Sequence, residues 1–268
     1  MGSSAKSLQA FLGAAGEVVL VEVREAAGST PREAGAWMLV STDAIFGTIG
    51  GGQLEFMAID RARQMIADAA SADLLDVPLG PEIGQCCGGR VTIDLALADE
   101  TLRAEVANRA ARADASRPHV YLFGGGHVGR ALAEALALLP LQVTVVETRA
   151  DAVGDLPESV EVELTAVPED AVRAAPAGSA FIVLTHDHAL DFLIVAEALA
   201  RGDAAYVGMI GSKTKRATFR SWYLKDAGGS EEAAARLVCP IGGADVKDKR
   251  PAVIAALAAA EVMRGLAV

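Results

Sequence analysis

Cysteine is scarce in this sequence, with three residues among 268. A small, odd number gives no disulfide framework, and a reducing, cytoplasmic setting is the simplest home for it. Aromatic residues are equally thin at 4%, although hydrophobic residues make up 52%. The apolar content is therefore mostly Ala, Val, Leu and Ile, which suits α/β packing better than a β-sandwich. Long apolar runs are missing too. The most apolar stretch, "ALAEALALLPLQVTVV", is broken by Glu134, Pro140 and Gln142 before the roughly 18 uninterrupted residues of a membrane span accumulate. No basic segment followed by an apolar one opens the sequence, so export is not expected. Positive charge is in deficit: the net charge is −11, which leaves no basic footprint for nucleic acid. A small anionic ligand held by local donors is compatible with that balance. The high hydrophobicity excludes a disordered chain, and the length accommodates one large domain or two modest ones.

What is present falls into two rhythms. Over residues 1–99, "EVVLVEVREAAG", "AWMLVST" and "AIFGTIGGG" read as strands. Leu54, Met57, Ala58, Ala62, Met65 and Ile66 recur at helical spacing over 53–69, and "RVTIDLAL" (90–97) alternates as a strand. Residues 100–117 read as a charged, alanine-rich connecting helix and linker. From 118 to 268 strands and helices alternate: "HVYLF", a helix over 127–139, "QVTVVE", "AFIVLT", a helix over 189–201, "AAYVGMI", a helix opened by Ser212, the short strand "RLVCPI", and a closing helix over 251–264. The expected architecture is a small mixed α/β domain followed by a Rossmann-like, doubly wound parallel sheet.

"VYLFGGGHVGRALAEAL" places Gly124, Gly126 and Gly129 in the pattern G-x-G-x-x-G. Alone that pattern is weak. Here it follows a strand, opens a helix, and precedes a second strand ending in Glu147, about 20 residues further on. The glycines would admit a pyrophosphate to the backbone and the helix N-terminus would supply donors, with Glu147 accepting from a ribose diol. Arg149 nearby leaves open a 2′-phosphate, hence a nucleotide such as NAD(P). The bland alternative is a turn kept for tight helix–strand packing. Two further loops should share the same sheet edge. "THDHALD" carries His186, Asp187 and His188, which lack a third metal ligand nearby and suit loop hydrogen bonding better. "GMIGSKTKR" presents Ser212 and Lys213 at a helix start, with Lys215 and Arg216 behind, and suits an anion.

The cysteines pose a sharper question, because two of the three are neighbours in "GPEIGQCCGGR" (80–90). Structural zinc needs four ligands at wider spacing, and Cys239 is remote, so zinc is rejected. A redox C-x-x-C is absent. Burial as small hydrophobes is the plain alternative. Gln85, Gly88 and Gly89 around Cys86 and Cys87 argue otherwise, since glycines let a bulky ligand reach soft thiolates. "GSTPREAG", carrying Arg32, and "GTIGGGQLE", ending at Gln53 and Glu55, add two more glycine-dense loops. Together the three read as a ligand cradle.

The ordered set "GSTPREAGAWMLV", "GTIGGGQLE", "GQCCGG", "VYLFGGGHVGRAL", "LTHDHALD" and "YVGMIGSKTKR" resembles the XdhC/CoxI family over residues 15–265. The resemblance implies a chaperone rather than an enzyme. Such a protein binds the molybdenum cofactor, protects it while an oxo ligand is exchanged for sulfur from a cysteine desulfurase, and delivers it to apo xanthine dehydrogenase. It implies that Cys86 and Cys87 contact the molybdenum or its sulfur, and that the protein is a cytoplasmic homodimer. The family's threonine-proline turn is replaced here by Lys249-Arg250-Pro251, so no site is assigned there. The rival reading is an NAD(P)-dependent oxidoreductase using Glu147 for the ribose, although no proton-relay pair stands out.

Overall fold

The computed structural model describes residues 5–80, 88–243 and 245–266. They fall into two compact units, 5–115 and 116–266, each with its own core. No helix among the described residues is long and apolar enough to cross a membrane.

The first unit is built on a five-stranded antiparallel sheet of order β3-β2-β1-β5-β4. Its strands are β1 (Val18–Ala27), β2 (Trp37–Ser41), β3 (Ile45–Gly47), β4 (Ala72–Pro78) and β5 (Arg90–Leu97). The period-2 alternation of β1 sends Val19, Val21 and Val23 to one face, where they meet Leu54, Ala58 and Met65 of α2 (Gly52–Asp68). Val18 and Leu20 point to the other face, against Leu8 of α1 (Ala5–Ala14) and Val106 of α3 (Glu100–Ala115). The helix read from sequence as a connector thus packs within this unit. Arg109 of α3 fastens it by an ion pair with Glu22 at 2.8 Å and a bond to the Gly35 carbonyl at 2.6 Å.

The second unit is a parallel sheet with helices on both faces. Its strands are β6 (His119–Phe123), β7 (Gln142–Glu147), β8 (Val160–Leu164), β9 (Ala180–Val183), β10 (Tyr206–Met209) and β11 (Leu237–Val238), in the order β11-β10-β9-β6-β7-β8. Renumbered within the unit, that order is 3-2-1-4-5-6, the dinucleotide-binding arrangement, and the topology reverses between β6 and β9. α4 (His127–Leu136) and α9 (Pro251–Leu266) cover one face through Leu132, Leu136, Ala258 and Val262. The other face carries α5 (Glu169–Ala174), α6 (His188–Arg201), α7 (Lys213–Lys225) and α8 (Glu231–Ala235). The scarce aromatics are concentrated there. Phe123, Phe181 and Phe219 are fully buried, and Phe181 lies 5.7 Å from Tyr121 while Phe219 lies 5.2 Å from Tyr223.

Several of the expected elements shift at their ends: 127–139 ends at Leu136, the strand at "AIFGTIGGG" stops at Gly47, "AFIVLT" stops at Val183, the closing helix extends to Leu266, and "RLVCPI" pairs only over Leu237–Val238.

Candidate functional site

The glycine fingerprint sits at the switch point, and its three glycines answer to different demands. Gly124 has φ +116°, and a Cβ there would lie 2.6 Å from the Leu184 carbonyl of the neighbouring strand crossover. A Cβ on Gly129 would strike the Gly124 carbonyl. Both are required by the chain's own packing. Gly126 is not: its φ is −65°, and nothing lies within 4 Å of where its Cβ would be. It caps α4 without a side-chain bond, so its own side chain takes up none of the first-turn N–H donors of that helix.

Glu147 closes this loop from the end of β7. It is 5% exposed, and its Oε2 accepts from Gly125 N–H at 2.9 Å. Oε1 accepts from Thr148 N–H at 2.9 Å and Arg149 N–H at 3.2 Å, with the Arg149 guanidinium 3.6 Å away. Burial pushes this carboxyl up, but the three backbone donors and Arg149 outweigh it and hold Glu147 below the usual carboxylate range. Oε1 is saturated by the chain, whereas Oε2 retains acceptor capacity on the loop side. That atom is the one placed to receive a hydroxyl.

The next two loops along the sheet edge are joined by a pair that sequence reasoning missed. Asp191 of α6 is wholly buried and accepts from Thr185 N–H at 3.0 Å and Thr185 Oγ1 at 2.7 Å. Its other oxygen takes Lys215 Nζ, which also donates to the Ile210 carbonyl at 3.0 Å. Lys215 is therefore spent inside the protein. The sequence expectation of a loop with several cations free for an anion narrows to Lys213 and Arg216. Ser212 acts as the α7 cap, accepting from Lys215 N–H at 3.2 Å. Asp187 caps α6, accepting from Ala189 N–H at 2.8 Å, and no cluster of metal-ligating side chains occurs among the described residues.

In the first unit the three glycine-rich loops converge. A Cβ on Gly50 would lie 2.5 Å from Pro31 Cβ and 3.2 Å from Arg32 Cγ. Gly89 abuts the end of β1 and the start of the loop "GSTPREAG" in the same way, with Ala27 O only 2.7 Å from its would-be Cβ, and Ser29 O nearer still. Gly88 N–H donates to Leu79 O at 2.9 Å and Leu79 N–H to Gly89 O at 2.8 Å, so the flanks of the cysteine-bearing loop are tied to each other. Gln85, Cys86 and Cys87 lie outside the described residues. Arg32 is half-exposed and only loosely paired with Glu33 at 3.9 Å. Between these loops, Thr48–Gly51 folds around Glu55 of α2, whose Oε2 accepts from Ile49 N–H at 3.0 Å, Gly51 N–H at 3.1 Å and the Thr48 hydroxyl. The loop that feeds α2 is thus held by a carboxylate of the helix itself.

The candidate residues therefore form separate groups: in the first unit Arg32 beside Gly50, with Gly88 and Gly89 beside Ser29 of the same loop, and in the second Gly124, Gly126, Gly129 and Glu147 at the mid-sheet switch point with Ser212 and Lys213 further along the edge.

Comparison with known proteins places both units. The XdhC Rossmann domain matches residues 120–262, and the XdhC and CoxI family matches residues 12–78. The uncharacterized protein YqeB of Escherichia coli (strain K12) is 26% identical over 258 residues, covering 91% of this chain and 43% of that protein. The chain thus spans less than half the length of this relative. A Bacillus halodurans protein whose crystal structure is described as that of a xanthine dehydrogenase shares the fold, with a TM-score of 0.81 at 16% identity over 99% of this chain and 96% of that one. With more than half of its length matched by the family's Rossmann domain and the preceding unit matched as well, the chain belongs to the XdhC/CoxI family.

Proposed function

We propose that this protein is an accessory factor for xanthine dehydrogenase that carries the molybdenum cofactor as cargo. It receives the cofactor, holds it while a cysteine desulfurase provides sulfur, and passes it to the apo enzyme. A cytoplasmic homodimer belongs to the same reading. The observation that carries it is the convergence of three glycine-dense loops in the first unit, with Gly50 against Pro31 and Arg32, and Gly89 against Ala27 and Ser29. The Gly89 contacts, with the bonds of Leu79 to Gly88 and Gly89, set both ends of the loop that bears Cys86 and Cys87. A would-be Cβ on Gly51 or Gly88 meets nothing within 4 Å, which leaves room for a flat, bulky ligand against the main chain. Arg32 is the cation available to its phosphate, Gln85 flanks the thiols, and Cys86 and Cys87 are the soft donors suited to molybdenum and its sulfur. The cargo supplies the metal centre at which oxo and sulfur exchange. The chain's own part is to hold and release.

A second reading, an NAD(P)-dependent oxidoreductase, is favoured by one observation, the open space at Gly126 above the α4 N-terminus. Against it, the buried acid–lysine pair on that sheet edge is closed on itself and is in no position to relay a proton to a ligand.

Cys86→Ser separates the two. It preserves size while replacing a soft thiolate with a hard hydroxyl. We expect retention of bound molybdenum cofactor to fall roughly tenfold or more, activation of apo xanthine dehydrogenase to be lost, and the thermal midpoint to stay unchanged. Normal retention and transfer by both Cys86→Ser and Cys87→Ser would sink the carrier reading, and oxidation of bound NADH by the wild-type protein would replace it with the second.

A further inference from the structure

We infer that the second unit holds another ligand site, a cleft on the α7–β11–α9 side that takes a phosphorylated heterocycle. The inference is independent of what the cysteine loop or the glycine loop binds. The cleft encloses about 740 Å³, within the roughly 300–1,000 Å³ typical of small-molecule sites.

Its rim is basic in a chain whose net charge is −11. Lys213, Arg216 and Arg220 line it from α7, and their spacing puts them on one helical face. Arg220 is committed to Glu231, 3.0 Å away. Neither Lys213 nor Arg216 makes a side-chain ion pair or hydrogen bond among the described residues. Two unspent cations therefore face one concavity, and the guanidinium fork matches phosphate oxygens.

The floor is apolar, with half-buried Val238 and Pro240 presented to the cleft over the buried Phe219 and Leu237. Cys239 belongs to that wall and is 4% exposed. Burial pushes its thiol up, with Lys215 and Arg216 only partly opposing, so it serves as apolar surface and not as a nucleophile. Glu261 comes from α9. Its Oε2 accepts from Tyr206 Oη at 2.9 Å and Gly242 N–H at 2.8 Å, which fixes the carboxylate. Its Oε1 has no donor among the described residues and lies on the Gly243 side, 3.9 Å from where a Cβ of that residue would be. Cations from α7, an apolar floor, and a held acceptor from α9 select a ring that offers N–H donors and carries a phosphate.

The cleft is separate from the glycine loop. That loop lies between β6 and β7, whereas the cleft opens beside β11, with β9, β10 and the buried Asp191–Lys215 pair between them.

Calorimetric titration of the full chain with guanosine monophosphate tests the assignment. We expect saturable binding, about tenfold or more weaker in Arg216→Ala and for guanosine lacking the phosphate. Glu261→Gln, which turns an amide donor toward the cleft, should weaken it similarly. Gly126→Ala should leave it unchanged. Absence of binding to the wild-type protein overturns the proposal, as does an Arg216→Ala protein that binds as well as wild type. Loss of binding in Gly126→Ala overturns it too, by moving the nucleotide to the glycine loop. Arg216 is exposed, so its replacement keeps the test clear of folding defects.

Discussion

In the first unit the loop Thr48–Gly51 closes on Glu55, a residue of the helix that the loop itself feeds. In the second, the loop at Gly124–Gly126 closes on Glu147, delivered by the neighbouring strand. The first closure is local and needs only that α2 begin where it does. The second exists only when β6 and β7 are already paired, so it reports on the whole sheet. The difference also shows in burial. Glu147 is almost sealed from water, which makes each of its bonds costly to lose, whereas Glu55 is half-buried and its bond to Thr48 is exposed. Two similar-looking motifs are thus a fold-dependent keystone and a self-contained turn.

Three substitutions would break or sharpen that contrast. Glu147→Gln replaces one acceptor oxygen with an amide that faces N–H groups, and we expect a loss of about 2 kcal/mol in urea unfolding at neutral pH. The folded carboxyl lies below its ordinary value of 4.5. Its contribution is therefore complete above that pH and is lost as pH falls through the folded value. The gap between variant and wild type should close in acid, and a gap that persists there would show that charge is not the cause. Glu55→Ala should cost about 1 kcal/mol, the typical worth of a helix-start bond, and a loss equal to that at Glu147 would erase the contrast. Gly126→Ala should change stability by less than about 0.5 kcal/mol, because its backbone and surroundings accept a Cβ. The same variant should bind NADH more weakly than wild type, read by fluorescence titration. Equal binding would make the whole loop a packing device like its counterpart.

The central elements were legible because their signals are strong: strand–glycine–helix spacing for β6 and α4, and helical recurrence for α2. The two strands that escaped, β4 and β8, are both sheet edges. "ADLLDVP" shows no strict alternation, and most of its positions are exposed or half-exposed, whereas "VEVEL" alternates apolar and charged residues and carries an unused strand signal. The Asp191–Lys215 pair had a signal that could have been used. Asp191 occupies the first place of the inward stripe completed by Ile194, Val195, Ala198 and Leu199. Lys215 shares its helix face with buried Phe219 and Tyr223. A charge on an apolar stripe is looking for a partner. Glu55 was read as part of a ligand cradle because spacing alone does not tell whether backbone donors await a ligand or a nearby carboxylate.

The edge strand β8 has a consequence for how the protein behaves in a concentrated solution. Among the described residues it pairs with β7 alone, and Val162 and Leu164 stand about half exposed on it. Such an edge is a template for joining a second molecule. Glu161 and Glu163 guard it: antiparallel pairing of two copies about Val162 would set each glutamate opposite the other's, and like charges so placed repel. That guard is electrostatic and weakens as salt rises. Ionic strength is thus a storage variable to which this surface responds, and dilute buffers keep the protein apart from itself better than saline ones.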